Sequence, residues 1–182
     1  MKKLILAIFI LGVGTLTLSL SAPAQIQESK IKTSYNAESD KTTVMLPLLK
    51  LARNPKSFSI GALFQFDGDL MSERPCCTTF IFTSIGKKQF DYKDYHNVTF
   101  WADDEKLEFN NTKWREADEA TAFVLAQIAF SEEIWVGMKT EEFIKIARAK
   151  RIKARVGSFQ FEMTSEQRAG LAELADNIEK AK

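Results

Sequence analysis

Both cysteines of the chain, Cys76 and Cys77, stand side by side in Glu73-Arg74-Pro75-Cys76-Cys77-Thr78-Thr79, directly before the apolar run Phe80-Ile81-Phe82. Two adjacent thiols could form a redox pair, half of a metal site or a staple, or serve as small apolar residues entering a strand. Adjacent α-carbons lie about 3.8 Å apart across a trans peptide, against roughly 4.4–6.8 Å in ordinary disulfides, so a bond between them would be strained and easily reduced. Such a bond suits a redox switch. On a regular strand, however, neighbouring side chains point to opposite faces and part the two sulfurs. A vicinal disulfide and an interchain bridge stay open beside the expected reading, inert sulfur at a strand entrance. A nucleophilic thiol needs its pKa lowered by a cation or a helix N-terminus, and usually a base. Arg74 is the local cation, and His96 is the only histidine.

His96 closes Asp91-Tyr92-Lys93-Asp94-Tyr95-His96, and a metal set of His96, Asp94 and Asp103 can be drawn on paper. A single imidazole without a second nitrogen or sulfur ligand at zinc spacing is poor for zinc, and Asp67-Gly68-Asp69 is too sparse for a calcium loop. A solvated loop is expected instead, with no metal or cofactor. The strongest charge feature is Lys145, Arg148, Lys150, Arg151, Lys153 and Arg155. Arg151, Lys153 and Arg155 alternate along one face of an extended segment and suit an anionic partner. Charge on alternate positions is also how an antiparallel sheet meets water.

The sequence contains no glycine-rich phosphate loop, G-x-S-x-G elbow, H-E-x-x-H or C-x-x-C. Carboxylates distant in sequence can still meet in space, so the chain is read as a non-enzymatic protein without excluding paired-acid chemistry. Asn97-Val98-Thr99 and Asn110-Asn111-Thr112 match a glycosylation sequon but carry little weight behind a signal of bacterial type.

That signal opens the chain. Lys2 and Lys3 precede an apolar stretch at 4–11, and Ser21-Ala22-Pro23-Ala24 ends it with small residues, the three parts of a cleavable export signal. Cleavage after Ala24 is expected, which leaves residues 25–182 as one domain in the periplasm or outside the cell, with no transmembrane span. Removal takes two lysines and no acid, leaving 23 basic against 24 acidic side chains. A nearly neutral chain exerts no long-range pull on nucleic acid, so the expected partner is an envelope protein or a local anionic surface.

The elements that position these residues are mostly strands. Residues 31–35 and 42–46 flank a turn-rich stretch and read as a hairpin. Residues 46–51 are apolar but hold Pro47. Residues 58–66 alternate and stop at Asp67-Gly68, and 78–85 is β-rich. Residues 98–102 and 106–109 form a second hairpin about Asp103-Asp104-Glu105. Residues 117–130 fit either period and are assigned to a strand. Residues 134–136 make a short strand, and Thr140 is expected to cap a helix with Glu141 and Glu142 in its first turn. Gly157-Ser158 suits a type II′ turn, pairing Val156 with Phe159, Ala154 with Phe161, Ile152 with Met163, Arg155 with Gln160 and Lys153 with Glu162. Thr164-Ser165-Glu166-Gln167 is a capping box before a stripe of Leu171, Leu174, Ala175 and Ile178. The fold class is therefore α+β, a predominantly antiparallel sheet with two short helices near the C-terminus.

The segment 98–107, Val-Thr-Phe-Trp-Ala-Asp-Asp-Glu-Lys-Leu, together with Glu142-Phe143-Ile144-Lys145-Ile146-Ala147, Val156-Gly157 and Phe161-Glu162-Met163, resembles an uncharacterised group of secreted bacterial proteins. The resemblance implies a β-rich secreted domain and no activity. Three functions fit these readings: an exported domain binding an envelope partner, a thiol-dependent redox or sensor protein using Cys76 and Cys77, and a carrier of an apolar small molecule among the 14 phenylalanines.

Overall fold

The computed structural model describes residues 30–53, 57–86, 92–116 and 130–180. The export signal at 1–24 and nearly all of the segment 117–130 lie outside the described residues. Among these described residues ten strands and two helices follow one another: β1 Lys32–Asn36, β2 Lys41–Arg53, β3 Ser57–Asp67, β4 Cys77–Gly86, β5 Val98–Ala102, β6 Glu105–Phe109, β7 Thr112–Glu116, β8 Phe130–Lys139, α1 Thr140–Arg148, β9 Ile152–Val156, β10 Phe159–Glu162 and α2 Ser165–Glu179. Every strand pairing is antiparallel, in one six-stranded sheet of order β1-β2-β3-β4-β8-β7 and one four-stranded sheet of order β10-β9-β5-β6. The expected α+β class is the one observed.

Phenylalanine joins the layers. Phe58 and Phe82 of the larger sheet meet Phe159, Phe161 and Phe100 of the smaller at ring centroid distances of 4.8–6.3 Å, and Phe80 meets Phe100 at 4.9 Å and Phe143 of α1 at 5.3 Å. The aromatic residues thus bridge the two sheets through tilted ring contacts. α1 and α2 pack on each other and continue the cover over the same face of the larger sheet, α1 against β4, β5 and β8, and α2 against β2 and β3. Gly170 lets α2 come close, since a Cβ there would lie 3.0 Å from a Leu46 methyl.

The hairpin β9–β10 has the expected register throughout, and Gly157 has φ +55° while Ser158 does not have positive φ, as a type II′ turn requires. Met163 donates its amide to the Ile152 carbonyl at 2.9 Å, which completes the third apolar pair. The capping box also forms: Thr164 N–H donates to Gln167 Oε1 at 2.8 Å, and Gln167 N–H to Thr164 Oγ1 at 3.3 Å.

Four local features add to or differ from the expected elements. The extended segment read at 42–46 continues through Pro47 to Arg53, because the register slips between Leu46 and Leu49 and places Pro47 and Leu48 together opposite Gly61. A bulge is where a strand tolerates a residue with no N–H. The strand assigned to 134–136 is ten residues long, since β4 supplies a partner for every residue from Phe130 to Lys139. Strand β7 was not anticipated; its alternation of Thr112, Trp114 and Glu116 with Lys113 and Arg115 is weak without its neighbour β8. Thr140 is not the helix cap. Lys139 holds the extended cap conformation and donates its amide to Glu142 Oε2 at 3.0 Å, while the Thr140 hydroxyl donates to the Pro75 carbonyl at 2.7 Å.

Candidate functional site

The cysteines lie where β4 begins, next to the end of β8 and the first turn of α1. Cys77 opposes Lys139, and the Cys76 carbonyl accepts the Thr140 amide at 3.1 Å, one of the N–H groups that a helix start leaves without an intrahelical partner. Cys76 precedes the strand, so the alternation that would separate the side chains does not operate. Both thiols are exposed, and their sulfurs lie 2.7 Å apart. The expectation of parted sulfurs is thereby corrected. Contact with the Cys76 sulfur raises the Cys77 pKa, with lesser contributions from partial burial and the Glu141 carboxylate. At neutral pH Cys77 is therefore a thiol, which makes it a poor nucleophile.

Lys153 and Arg155 do share the outer face of the four-stranded sheet. They stand beside Trp101, over whose ring the Arg155 guanidinium sits at 5.7 Å. Arg151 precedes the strand and is held by Glu162, Nε to Oε1 at 2.9 Å and Nη2 to Oε2 at 3.2 Å. That bond lowers the Glu162 pKa and raises that of Arg151. On the same face Lys106 pairs with Glu108 and lowers its pKa. Two acids thus interleave with four cations, leaving a mild basic surplus at Lys153 and Arg155.

The drawn metal set is not assembled. His96 Nδ1 lies 3.0 Å from the Tyr92 carbonyl ahead of β5, whereas Asp103 sits beyond the other end of β5 and accepts the Arg151 amide at 2.9 Å. Among the described residues no group of three or more His, Cys, Asp or Glu side chains could hold a metal ion. A buried carboxylate did escape sequence reasoning: Glu132, 2% exposed on the inner face of β8, accepts the Trp114 indole N–H at 2.9 Å and the Tyr92 amide at 3.1 Å. Its neighbour Glu133 points outward, so nothing local distinguished the two acids.

An apolar concavity lies on the outer face of the six-stranded sheet, opposite the aromatic core. Met45, Leu48, Leu63, Ile81 and Trp135 line a groove of about 550 Å³, and Gly61 forms its floor. The register Gly61–Ile81–Trp135 runs across β3, β4 and β8, and the Pro47–Leu48 bulge bounds it at β2. At one end the register Thr83–Glu133–Arg115 supplies polar groups. Arg115 Nε donates to Glu133 Oε2 at 2.7 Å, Trp135 Nε1 donates to the same oxygen at 2.8 Å, and the Arg115 guanidinium lies over the Trp135 ring at 4.1 Å. Thr83 is 3% exposed, and its hydroxyl has no hydrogen-bond partner among the described residues. A buried hydroxyl left unpaired costs about 1–3 kcal/mol.

No family model, characterised protein or solved structure matches the chain. Among the described residues no helix is long and apolar enough to cross a membrane.

Proposed function

We propose that the chain is an exported, non-enzymatic binding domain of the cell envelope, and that it engages its partner through the groove on the outer face of the six-stranded sheet. The observation that carries this reading is the apolar lining of that groove on a sheet face which, among the described residues, neither the second sheet nor the helices cover. Exposed apolar concavities rimmed by polar groups are characteristic of recognition surfaces. The export signal read at residues 1–24 supports the compartment. A photo-crosslinking amino acid placed at Ile81 should yield a discrete adduct in cells exporting the protein, while one at the exposed Gln65, on the same face outside the groove, should not. Equal labelling from both positions, or none, refutes the groove as the contact. Reversing the charge of Arg151, Lys153 and Arg155 should leave the Ile81 adduct intact; loss of the adduct moves the contact to the basic strand face and an anionic partner.

A second reading, a thiol-dependent sensor, draws on the exposed sulfurs of Cys76 and Cys77 and their 2.7 Å separation. Oxidation would form one S–S bond as the two thiols surrender two protons and two electrons to a disulfide oxidant, itself reduced to two thiols. Intact mass after alkylation separates the outcomes: one internal bond supports the sensor, and two freely alkylated thiols in protein taken from the exported compartment dispose of it.

A further inference from the structure

We propose that the groove takes the acyl chain of a neutral, ester-linked lipid, with the ester carbonyl at Thr83 and Arg115; this rests on the groove being the binding surface. Four strands spaced about 4.8 Å apart give it a length of about 14 Å. Over that length its wall is side-chain carbon from Leu48, Met45, Leu63, Ile81 and Trp135. Gly61 keeps the floor low: a Cβ there would stand 3.0 Å from the Leu46 carbonyl oxygen and 3.3 Å from a Leu48 methyl. Such a trough suits a linear ligand that makes no polar demand along its length. A peptide makes those demands at every residue, and the groove runs across strands whose backbone groups already pair with one another, instead of along a sheet edge where a peptide backbone would find partners.

The polar end selects the head. Three buried hydroxyls lack partners among the described residues, those of Thr83, Ser84 and Ser131, and only Thr83 lines the groove. A hydroxyl can donate to a carbonyl oxygen brought in by the ligand. Arg115 and Glu133 lie beside it by register and balance each other's charge. A neutral ester carbonyl accepts from Thr83 and from the guanidinium without opposing charge. A free carboxylate meets Glu133, and an ammonium head meets Arg115 while losing its hydration to apolar walls.

Equilibrium dialysis of the full exported protein against radiolabelled glycerol monolaurate, below its micellar concentration, tests this. One saturable site per chain is expected, abolished by Ile81→Lys and weakened about five- to tenfold by Thr83→Val, which removes one hydrogen bond while keeping the shape. Laurate anion should bind more weakly than the ester, and Glu133→Gln should narrow that difference. Should Ile81→Lys not fold, Leu48→Lys places the charge on a side chain already 49% exposed. Absence of saturable uptake, or uptake indifferent to these variants, overturns the lipid assignment. So does a dimer in sedimentation velocity that Ile81→Lys dissociates, which would make a second copy of the chain the occupant, or displacement of the ester by an apolar peptide. If crosslinking from Ile81 succeeds while dialysis finds no uptake, the ligand class fails and the binding surface stands; if both fail, the surface itself is wrong.

Discussion

The two faces of the six-stranded sheet are built from the same strands in alternate registers, yet they meet different fates. Phe80 and Phe82 point inward and are fully buried against the second sheet and α1, while Ile81 between them points outward into the groove beside Trp135 and Leu63. Hydrophobicity alone does not separate the faces, since both are apolar in this region. What separates them is whether the chain's own later elements cover the surface. Strands β5, β9 and β10 and the two helices all lie on the inner side.

The largest effect that contrasts the faces is a pair of adjacent truncations. Phe82→Ala should cost about 3–5 kcal/mol in urea unfolding, whereas Ile81→Ala should cost less than about 2 kcal/mol because its side chain is only half-buried. Equal losses would mean that the outer face is covered after all, and the contrast would collapse. The turn at Gly157 sharpens the same picture from the edge of the smaller sheet. A Cβ there would lie 2.7 Å from the Tyr95 carbonyl oxygen at φ +55°, so Gly157→Ala should destabilise by about 1–3 kcal/mol, whereas Ser158→Ala should be nearly silent in the same assay.

A smaller effect is expected at the join of β4, β8 and α1. Thr140→Val removes the hydrogen bond to the Pro75 carbonyl at a cost of about 1–2 kcal/mol, and Lys139→Ala, which keeps the cap's backbone, should cost a few tenths at most. The reverse order in thermal melts would mean that the Lys139 side chain, and not the Thr140–Pro75 bond, secures this join. The smallest effect lies on the exposed face of the four-stranded sheet. Arg151 depresses the Glu162 pKa, so the pair stabilises the fold above the ordinary carboxylate pKa of about 4.3, and that contribution is lost as pH falls through the lower folded value. Arg151→Gln should therefore be slightly less stable than the parent at neutral pH, and the two should converge in acid. A gap that persists in acid would show that Arg151 acts by packing and not by charge.

These differences follow how local each signal is. The β9–β10 hairpin could be read in advance to the residue because turn chemistry and alternation agree within twelve positions, and the α2 capping box lies within four. Thr140 misled because threonine before two glutamates is a good cap pattern, while the competing acceptor, the Pro75 carbonyl, is 65 residues away in sequence. The length of β8 depended on β4, which is far off in the chain, and two successive acids at Glu132 and Glu133 gave no hint that one would be buried. Cys76 and Cys77 were visible as a pair, but the approach of their sulfurs depends on Cys76 lying just outside the strand.

The groove was the least legible feature, because its residues come from five strands and its apolar ones look like ordinary core positions when taken singly. The sequence by itself determined the antiparallel α+β class, the closing hairpin, the second helix and the adjacency of the cysteines, since each depends on short-range period, turn chemistry or covalent order. Only the tertiary structure decided which apolar face would be covered, which of two glutamates would be buried and where an unpaired hydroxyl would meet an apolar trough. Those outcomes depend on long-range strand register and on which surface the later elements occupy, and neither is encoded within any one segment.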